Sequence, residues 1–366
     1  MSFELIKPDI NINFIGHRHI AFTVSAILIL ICLGSIFFKG LHMGIDFAGG
    51  LLVQARFSQS VTPDQIRQAL SEDGLPAPAI QAFGEAGDYE YMINLQSDDD
   101  LESEAGVGSA LSQKVQDSLF GHFGADKVEI RRVEMVGPRV GQDLRQKAMS
   151  ALYYSILMIL IYISGRFERK WGTSAALVGG LLLLLYLASL LGVSMVYLII
   201  IALGLTLILC YVLKFEYALG AILSLLHDVI ITVGIFAFLD KEITLSFVAA
   251  VLTIAGYSLN DTIIIYDRIR ERVASSRKGD YAETINRGIN ETLSRTVLTS
   301  GSTLLVIVAV YFLGGPVTQD FALALLIGIG FGTLSSIFIS APALLFWSKP
   351  QLPGSAGGFS SAPGRL

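Results

Sequence analysis

The chain has 366 residues, of which 53% are hydrophobic and 16% charged, and its mean hydropathy is +0.62. These values exclude an ordinary soluble domain and indicate a polytopic α-helical protein of the lipid bilayer. The net charge of −5 comes with no basic segment and no aromatic–basic interleaving, which argues against a nucleic-acid partner. The two cysteines, Cys32 and Cys210, lie in apolar runs, which argues against a disulfide scaffold.

Apolar runs long enough to cross about 30 Å of hydrocarbon recur along the chain. In order, they cover residues 20–38, 148–165, 171–213, 217–239, 243–266, 296–313 and 321–347. As one helix, 171–213 would be about 64 Å long, roughly twice the bilayer core, so Gly192 and Ser194 are predicted to divide it into two helices. About eight spans result, and an even number places both termini on the same side.

Positive charge predicts which side that is. Lys and Arg precede the first span and follow the second, fourth and sixth, which predicts cytoplasmic ends (1–19 and 348–366) in a bacterial inner membrane. The basic residues concerned are Arg18, Arg166, Arg169, Lys170, Lys214, Arg268, Arg270, Arg272, Arg277, Lys278 and Arg287. The first span has no small-residue cleavage site after it and is predicted to be an uncleaved anchor. The last segment, rich in Gly, Ser and Pro, is predicted to be a disordered tail.

The polar stretch 39–147 is predicted to form one extracytoplasmic domain, followed by a membrane bundle at 148–347. Strands are predicted at 51–57, 79–83, 89–95 and 127–135, with helices at 62–74 and 101–120. Thr62-Pro63-Asp64-Gln65 has the pattern of a capping box with proline at the first helical position. The order βαββαβ predicts a small α+β, ferredoxin-like domain, a fold that hosts many functions. Membrane helices at both of its ends can move such a domain, and it can equally be a passive ectodomain.

Five short strings lie at predicted membrane boundaries or within spans. They are Gly44-Ile45-Asp46-Phe47-Ala48-Gly49-Gly50, Val136-Gly137-Pro138-Arg139-Val140-Gly141, Leu226-His227-Asp228, the run from Gly256 through Tyr257 and Asn260-Asp261 to Glu271, and Asn290 to Thr296. In this order they resemble the SecF family, the smaller subunit of the SecD–SecF accessory complex of bacterial protein secretion. The resemblance covers roughly 10–170 and 214–347.

One feature departs from that family. Its pattern has six spans with a single basic-Phe-Glu turn, whereas this turn occurs twice here, at Arg166-Phe167-Glu168 and again 48 residues later at Lys214-Phe215-Glu216. We interpret 171–213 as an inserted helical hairpin, for which partial duplication is one origin. Two added spans leave the sidedness of all later spans unchanged.

Asp261 is the most informative single residue because a charge inside a membrane helix costs at least about 2.5–3.5 kcal/mol. The resemblance implies that Asp261 and Arg295 carry the proton pathway. If they form an ion pair, protonation of Asp261 would leave Arg295 without its counter-charge. The two protonation states of Asp261 would then favour two different packings of the helices. From the residues alone, Asp261 could also reach the interface or form a helix contact with Asn260. Arg295 could be an ordinary positive residue at a helix start.

His227 and Asp228 lie near the midplane of their span and form a second tier of candidates with Asn260 and Tyr257. Neighbouring positions on a helix point about 100° apart, so His227 and Asp228 are not expected to pair directly. They could belong to the proton route or be a hydrogen-bonded packing pair. A metal site is not predicted, because no second cluster of ligands accompanies them. A structural motif where the backbone bends at the membrane is predicted at Gly44, Asp46, Phe47, Gly49, Gly50, Gly137 and Pro138, with Asp46 as a cap or a structural partner.

The resemblance implies a non-enzymatic accessory subunit that uses the proton motive force to assist preprotein export. Its implied partners are a SecD-like subunit, the SecYEG channel and the translocating preprotein. No cofactor other than the proton is expected, and no GxxxxGK[ST] loop for ATP occurs in the sequence. Two alternatives remain. One is an independent proton-coupled exporter of small or lipidic molecules, built on the related resistance–nodulation–division helix arrangement. The other is a non-transporting membrane scaffold or ectodomain sensor.

Overall fold

The computed structural model describes residues 10–76, 78–83, 87–95, 107–275 and 280–347. The tail predicted to be disordered, the first nine residues and the first part of the predicted helix 101–120 lie outside the described residues.

Eight helical segments of the described chain are long and apolar enough to cross a membrane, which confirms the predicted number of spans. They are α1 (Arg18–Lys39), α5 (Pro138–Glu168), α6 (Trp171–Ser189), α7 (Met195–Val212), α8 (Glu216–Phe238), α9 (Leu245–Ser275), α10 (Tyr281–Leu313) and a last span made of α11 (Pro316–Ser335), a one-turn π-helix (Ser336–Ser340) and α12 (Ala341–Trp347). The break between α6 and α7 lies at the predicted position, where Gly192 has a φ of 74°. A residue without a Cβ adopts that left-handed conformation at low cost.

A four-stranded antiparallel sheet lies between the first two spans. Its strands are β1 (Gly50–Phe57), β2 (Ala79–Phe83), β3 (Glu90–Leu95) and β4 (Val128–Val136), in the order β2-β3-β1-β4. Helices α3 (Pro63–Glu72) and α4 (Val107–Phe123) pack against it, burying Ile66 and Leu119. The Thr62 capping box is present as predicted. The element order is the predicted βαββαβ, while the ferredoxin-like assignment stays a prediction.

The domain enters and leaves the membrane bundle at one place. A four-residue helix, α2 (Ile45–Ala48), connects the end of α1 to β1. Gly50 at the start of β1 pairs with Val136 at the end of β4, directly before α5. Both connections of the sheet to the membrane therefore run side by side.

Helices α8, α9 and α11 form the most buried part of the bundle, and α6 and α7 pack on its side against α5 and α8. The Tyr153 hydroxyl on α5 lies 3.3 Å from Thr206 Oγ1 on α7. The ends of the hairpin are close together: Tyr217 N donates to Glu168 Oε1 at 3.0 Å. The hairpin therefore packs on one side of the bundle, and its two ends meet where it leaves α5 and rejoins α8.

Candidate functional site

Asp261 lies inside the bundle, on the face of α9 that meets α10. Its side chain is only 4% exposed. Ser300 Oγ on α10 donates a hydrogen bond of 2.8 Å to Asp261 Oδ2. Thr296, one turn before Ser300, is fully buried, and its hydroxyl has no hydrogen-bond partner within the described ranges. The carboxyl group therefore occupies a small polar pocket between two membrane helices.

Arg295 does not form the direct ion pair that was expected. Its side chain is exposed, and within the described part of the chain no pair within 4.0 Å joins it to Asp261. The guanidinium still acts electrostatically on the carboxyl group. Ser300, rather than Arg295, makes the direct contact with the Asp261 carboxyl group.

His227 and Asp228 pair directly, so the expectation that they would not was wrong. His227 Nδ1 lies 2.9 Å from Asp228 Oδ1. The 100° argument concerns the directions of the two Cβ atoms, but an imidazole ring is long enough to reach back to the adjacent carboxylate. Asp228 is completely buried, and its second oxygen accepts from Ser258 at 2.8 Å and from Ser335 at 2.9 Å.

A line of hydroxyl groups runs along α9 next to this pair. Ser258, Thr262 and Tyr266 lie one turn apart on one helix face. Thr262 Oγ1 lies 2.9 Å from Ser336 Oγ, and Ser340 Oγ lies 2.6 Å from the Tyr266 hydroxyl. Both serines belong to the one-turn π-helix of the last span, a type of irregularity that is frequent at functional sites.

Tyr257 and Asn260, the other second-tier residues, do not join the buried groups. Tyr257 is 43% exposed and Asn260 is exposed, both on the outer face of α9. Arg295 is exposed in the same way on α10. The structure therefore brings Asp261 close to Ser300 and His227 close to Asp228, while three predicted residues lie on an outward face.

The glycine-rich segment joins the bundle to the sheet domain. Asp46 Oδ2 accepts from Leu245 N at 2.8 Å, at the start of α9. Gly44 N donates to Ile243 O at 3.0 Å. Phe47 lies in an apolar cluster with Phe236 and Phe247. Asp46 is thus a structural partner of the helix that carries Asp261.

The glycines of this glycine-rich segment allow its backbone to lie very close to neighbouring residues. A Cβ on Gly44 would lie 2.9 Å from Thr244 Cγ2, and one on Gly49 2.8 Å from Pro138 Cα. Gly49 and Gly50 also have positive φ values, 74° and 138°. Gly137 precedes α5 and Pro138 is its first residue.

A contact that sequence reasoning missed lies next to this segment. Asn94 on β3 donates to Glu242 Oε1 at 3.3 Å, linking the sheet domain to the turn before α9. Burial raises the pKa of the half-buried Glu242 carboxyl, and nearby Asp320 and Asp46 add to this while the Asn94 hydrogen bond opposes it. The sequence signal is weak, since Glu242 is one of three charged residues in the short turn Asp240-Lys241-Glu242.

The serines around the two acids were missed as well, because Ser and Thr are common in membrane helices. Their spacing of one turn on α9 and α10, facing an acid, was a signal that could have been used. No group of three or more His, Cys, Asp or Glu side chains arranged for a metal ion occurs among the residues the structure describes.

Two family comparisons match most of the chain. The family described as protein export membrane protein SecD/SecF, C-terminal, matches residues 114–208 and 186–350. The SecD/SecF GG motif matches residues 34–61, which include Gly49 and Gly50. The two parts of the first match overlap inside the α6–α7 hairpin. They define the class: a multi-pass membrane protein of the SecD/SecF protein-export type.

Individual relatives narrow the assignment. The protein translocase subunit SecF of Magnetococcus marinus is 40% identical over 333 residues, 91% of this chain and 91% of the relative. The SecF of Vibrio alginolyticus is 35% identical over 343 residues, 94% of this chain and 92% of the relative. The chain belongs to the SecF family of protein translocase subunits.

A solved structure supports the fold. The crystal structure of SecDF from Thermus thermophilus, described as a translocon-associated membrane protein, is similar with a TM-score of 0.67 and 30% identity. The match covers 94% of this chain and 39% of that chain, so this chain spans about two fifths of SecDF.

Proposed function

We propose that this chain uses the proton gradient to assist preprotein export, and that Asp261 is the group whose charge changes. The observation that carries the proposal is a carboxyl group buried between two membrane helices and bonded to Ser300, on the helix that also carries Arg295. Such a group is costly in an apolar bundle and has no packing benefit that an apolar residue would not give.

Two protonation states of Asp261 favour two packings of α9 against α10. Ionised Asp261 accepts from Ser300 and attracts the Arg295 guanidinium. Once it is protonated, the attraction is lost and the helices can separate or rotate. Because Asp46 and Ile243 tie the start of α9 to the glycine-rich segment, a shift of α9 acts on the base of the sheet domain. Each charge that crosses the field contributes about 2.3 kcal/mol per 100 mV, so no further cofactor is needed.

The exposed polar residues Tyr257, Asn260 and Arg295 are unsuited to lipid tails. We propose that a SecD-like subunit covers them, in keeping with the SecDF chain that this one resembles. The SecYEG channel and the emerging preprotein complete the assembly. In this arrangement both termini are cytoplasmic, residues 39–147 are extracytoplasmic, and the chain lies in the bacterial inner membrane.

The test is preprotein translocation into vesicles that contain this chain with its SecD-like subunit, with the proton gradient imposed or collapsed. Wild type is expected to gain from the gradient, and Asp261→Asn is expected to lose that gain because the amide cannot change charge. The matched control is Asp143→Asn, an exposed residue on α5 that pairs with Lys147 at 2.6 Å.

Equal responses of wild type and folded Asp261→Asn would contradict the proposal. Gradient-independent activity that still needs the sheet domain would favour a scaffold. Proton-coupled release of small or lipidic molecules without effect on preprotein would favour an exporter.

A further inference from the structure

A crevice of about 270 Å³ lies beside His227, at the end of the bundle that carries the N-terminus. One wall is the first half of α1, from His17 to Leu28, and the other is formed by Phe331 and Phe338. At 1.5 Å per residue the α1 wall is about 17 Å long, which extends from the exposed His17 to the middle of the bundle. The lining is apolar except for His17, Ser25, His227 and Ser335.

The inner end of the crevice is bordered by an imidazole with an unused nitrogen. His227 is 6% exposed, and its Nε2 has no hydrogen-bond partner in the described part of the chain. Asp228 accepts two serine hydroxyls on one oxygen, so its other oxygen is free to accept from His227 Nδ1. With the ring proton on Nδ1, the lone pair of a neutral imidazole lies on Nε2.

The charge of this cluster is unbalanced in that state. The groups that face Asp228 are the Ser258 hydroxyl from α9, the Ser335 hydroxyl and Gly332 from α11, and His227 from its own helix. From α1, Cys32 donates to Ile231 O, one turn further along α8. None of these partners carries a permanent positive charge. An ionised Asp228 with a neutral His227 thus leaves one negative charge in an apolar interior, which is costly.

We propose that His227 and Asp228 form a second proton-binding site, loaded at His227 Nε2 through the crevice between α1 and α11. One proton adds to the Nε2 lone pair, giving an imidazolium–carboxylate pair of zero net charge, and its release restores the neutral imidazole. Ser25 lies midway along the α1 wall, and its hydroxyl can hydrogen-bond a water molecule between His17 and His227. The site extends the proposed proton-driven function, and its use in export rests on that function.

The two acids can act on the same helix. Ser258 and Asp261 lie less than one turn apart on α9, and Ser258 is bonded to Asp228 while Asp261 is bonded to Ser300. A charge change at Asp261, or at His227 beside Asp228, therefore alters the hydrogen bonding of the same segment of α9, at positions about 60° apart around the helix.

The test follows the imidazole nitrogens by magnetic resonance of the full chain, with isotope-labelled histidine, in lipid nanodiscs. His227→Gln assigns the His227 signals among the five histidines. Wild type is expected to show a pH-dependent change of Nε2 from neutral to protonated. Asp228→Asn is expected to lose this pH-dependent protonation of Nε2, because a buried imidazolium without a counter-charge is costly. Asp143→Asn should leave it unchanged.

A second pair of variants tests the route without touching the acid. Ser25→Phe fills the crevice and is expected to slow proton exchange at Nε2, whereas Ser25→Ala leaves it open. The proposed site is overturned if His227 Nε2 stays unprotonated at every pH. It is also overturned if Nε2 shows the same pH response in Asp228→Asn as in wild type. Exchange at Nε2 that is as fast in Ser25→Phe as in wild type overturns the route. A His227 response in a protein whose export ignores the gradient would leave the site intact and contradict the proposed function.

Discussion

Asp261 and Asp228 are buried carboxyl groups in membrane helices, and serine hydroxyls from neighbouring helices hold both of them. A hydroxyl can donate to a carboxylate and accept from a carboxylic acid, so it satisfies either protonation state. A lysine or arginine in direct contact would instead fix the ionised form. A hydroxyl therefore suits an acid that gains and loses a proton, as proposed for Asp261, and an acid that stays ionised, as proposed for Asp228 beside His227.

Ser300→Ala is the most direct residue-scale test of this arrangement. Loss of the hydroxyl leaves Asp261 Oδ2 without its donor, so the folded protein is expected to lose about 1–3 kcal/mol. Thermal unfolding in nanodiscs measures the effect. The control, Ser302→Ala, removes an exposed hydroxyl that bonds to the Thr299 carbonyl on its own helix. Equal stability of the two variants would show that the Ser300 contact does not hold Asp261.

At this scale the sequence located the two buried acids but not their neighbours. A charge inside an apolar run identified both Asp261 and Asp228. The expected partner of Asp261 was Arg295, at the start of the next apolar run, because charge is visible in a sequence. The packing of Ser300 against α9 instead depends on how two helices cross. The contact of His227 with Asp228 was missed because helix geometry describes the backbone and not the reach of a ring.

Several helices are longer than their apolar runs, and the difference has one cause. Hydropathy locates the part of a helix inside hydrocarbon, not where the helix ends. Thus α10 begins at Tyr281, far before the predicted start at 296, and α5 begins at Pro138 rather than 148. The strands and the α3 cap, by contrast, were predicted nearly to the residue, since turn and capping residues mark their ends.

The glycine-rich segment allows a clean comparison at the scale of elements. Gly49 and Gly74 have nearly equal φ values, 74° and 72°, but only Gly49 lies against Pro138. Gly74→Ala should cost about 1–2 kcal/mol through backbone strain alone. Gly49→Ala should lower the stability of the folded protein by more than this, which thermal unfolding measures. It should also loosen the start of α5, which hydrogen exchange at Gly141 measures. Equal costs would mean that the close approach to Pro138 contributes nothing.

The Asn94–Glu242 link predicts a pH dependence of the contact between sheet domain and bundle. The raised pKa of Glu242 means that burial favours its protonated form. The resulting stability is fully present below the ordinary value of 4.5 and is lost as the pH rises through the raised value. A protonated carboxyl can also donate to Asn94 Oδ1, a buried acceptor without a partner among the described residues.

Glu242→Gln should make this contact insensitive to pH, because the amide accepts and donates without changing charge. Hydrogen exchange of β3 at a series of pH values measures the contact. The exposed Glu129→Gln serves as the control, since Glu129 lies on β4 and pairs with Arg131 on the same strand. A wild-type profile that is flat over the same range would contradict the assignment of the pH effect to Glu242.

For the whole molecule, the α6–α7 hairpin is separable because Glu168 and Tyr217 already touch where it leaves and rejoins the bundle. Excising residues 169–216 is expected to give a folded chain of six spans that still responds to the gradient. Lipid tails can replace the apolar contacts of the hairpin at little cost, and loss of the Tyr153–Thr206 hydrogen bond costs about 1 kcal/mol. Protease accessibility of the sheet domain and gradient-stimulated translocation measure the outcome.

Removal of α7 alone is the contrasting variant, because a single lost span inverts every later one. If the excised chain fails to insert while the intact chain succeeds, the hairpin is part of the bundle core rather than an addition to it.

The paired strands β1 and β4 begin and end at the same point above the bundle, where Gly50 faces Val136. A body held at two distant points can be stretched or twisted between them, but one held at a single double-stranded stalk can only tilt. The sheet domain is therefore expected to tilt about this stalk once the Asn94–Glu242 contact opens. A displacement at the stalk by a fraction of a helical turn becomes a larger arc at the far edge strand, β2.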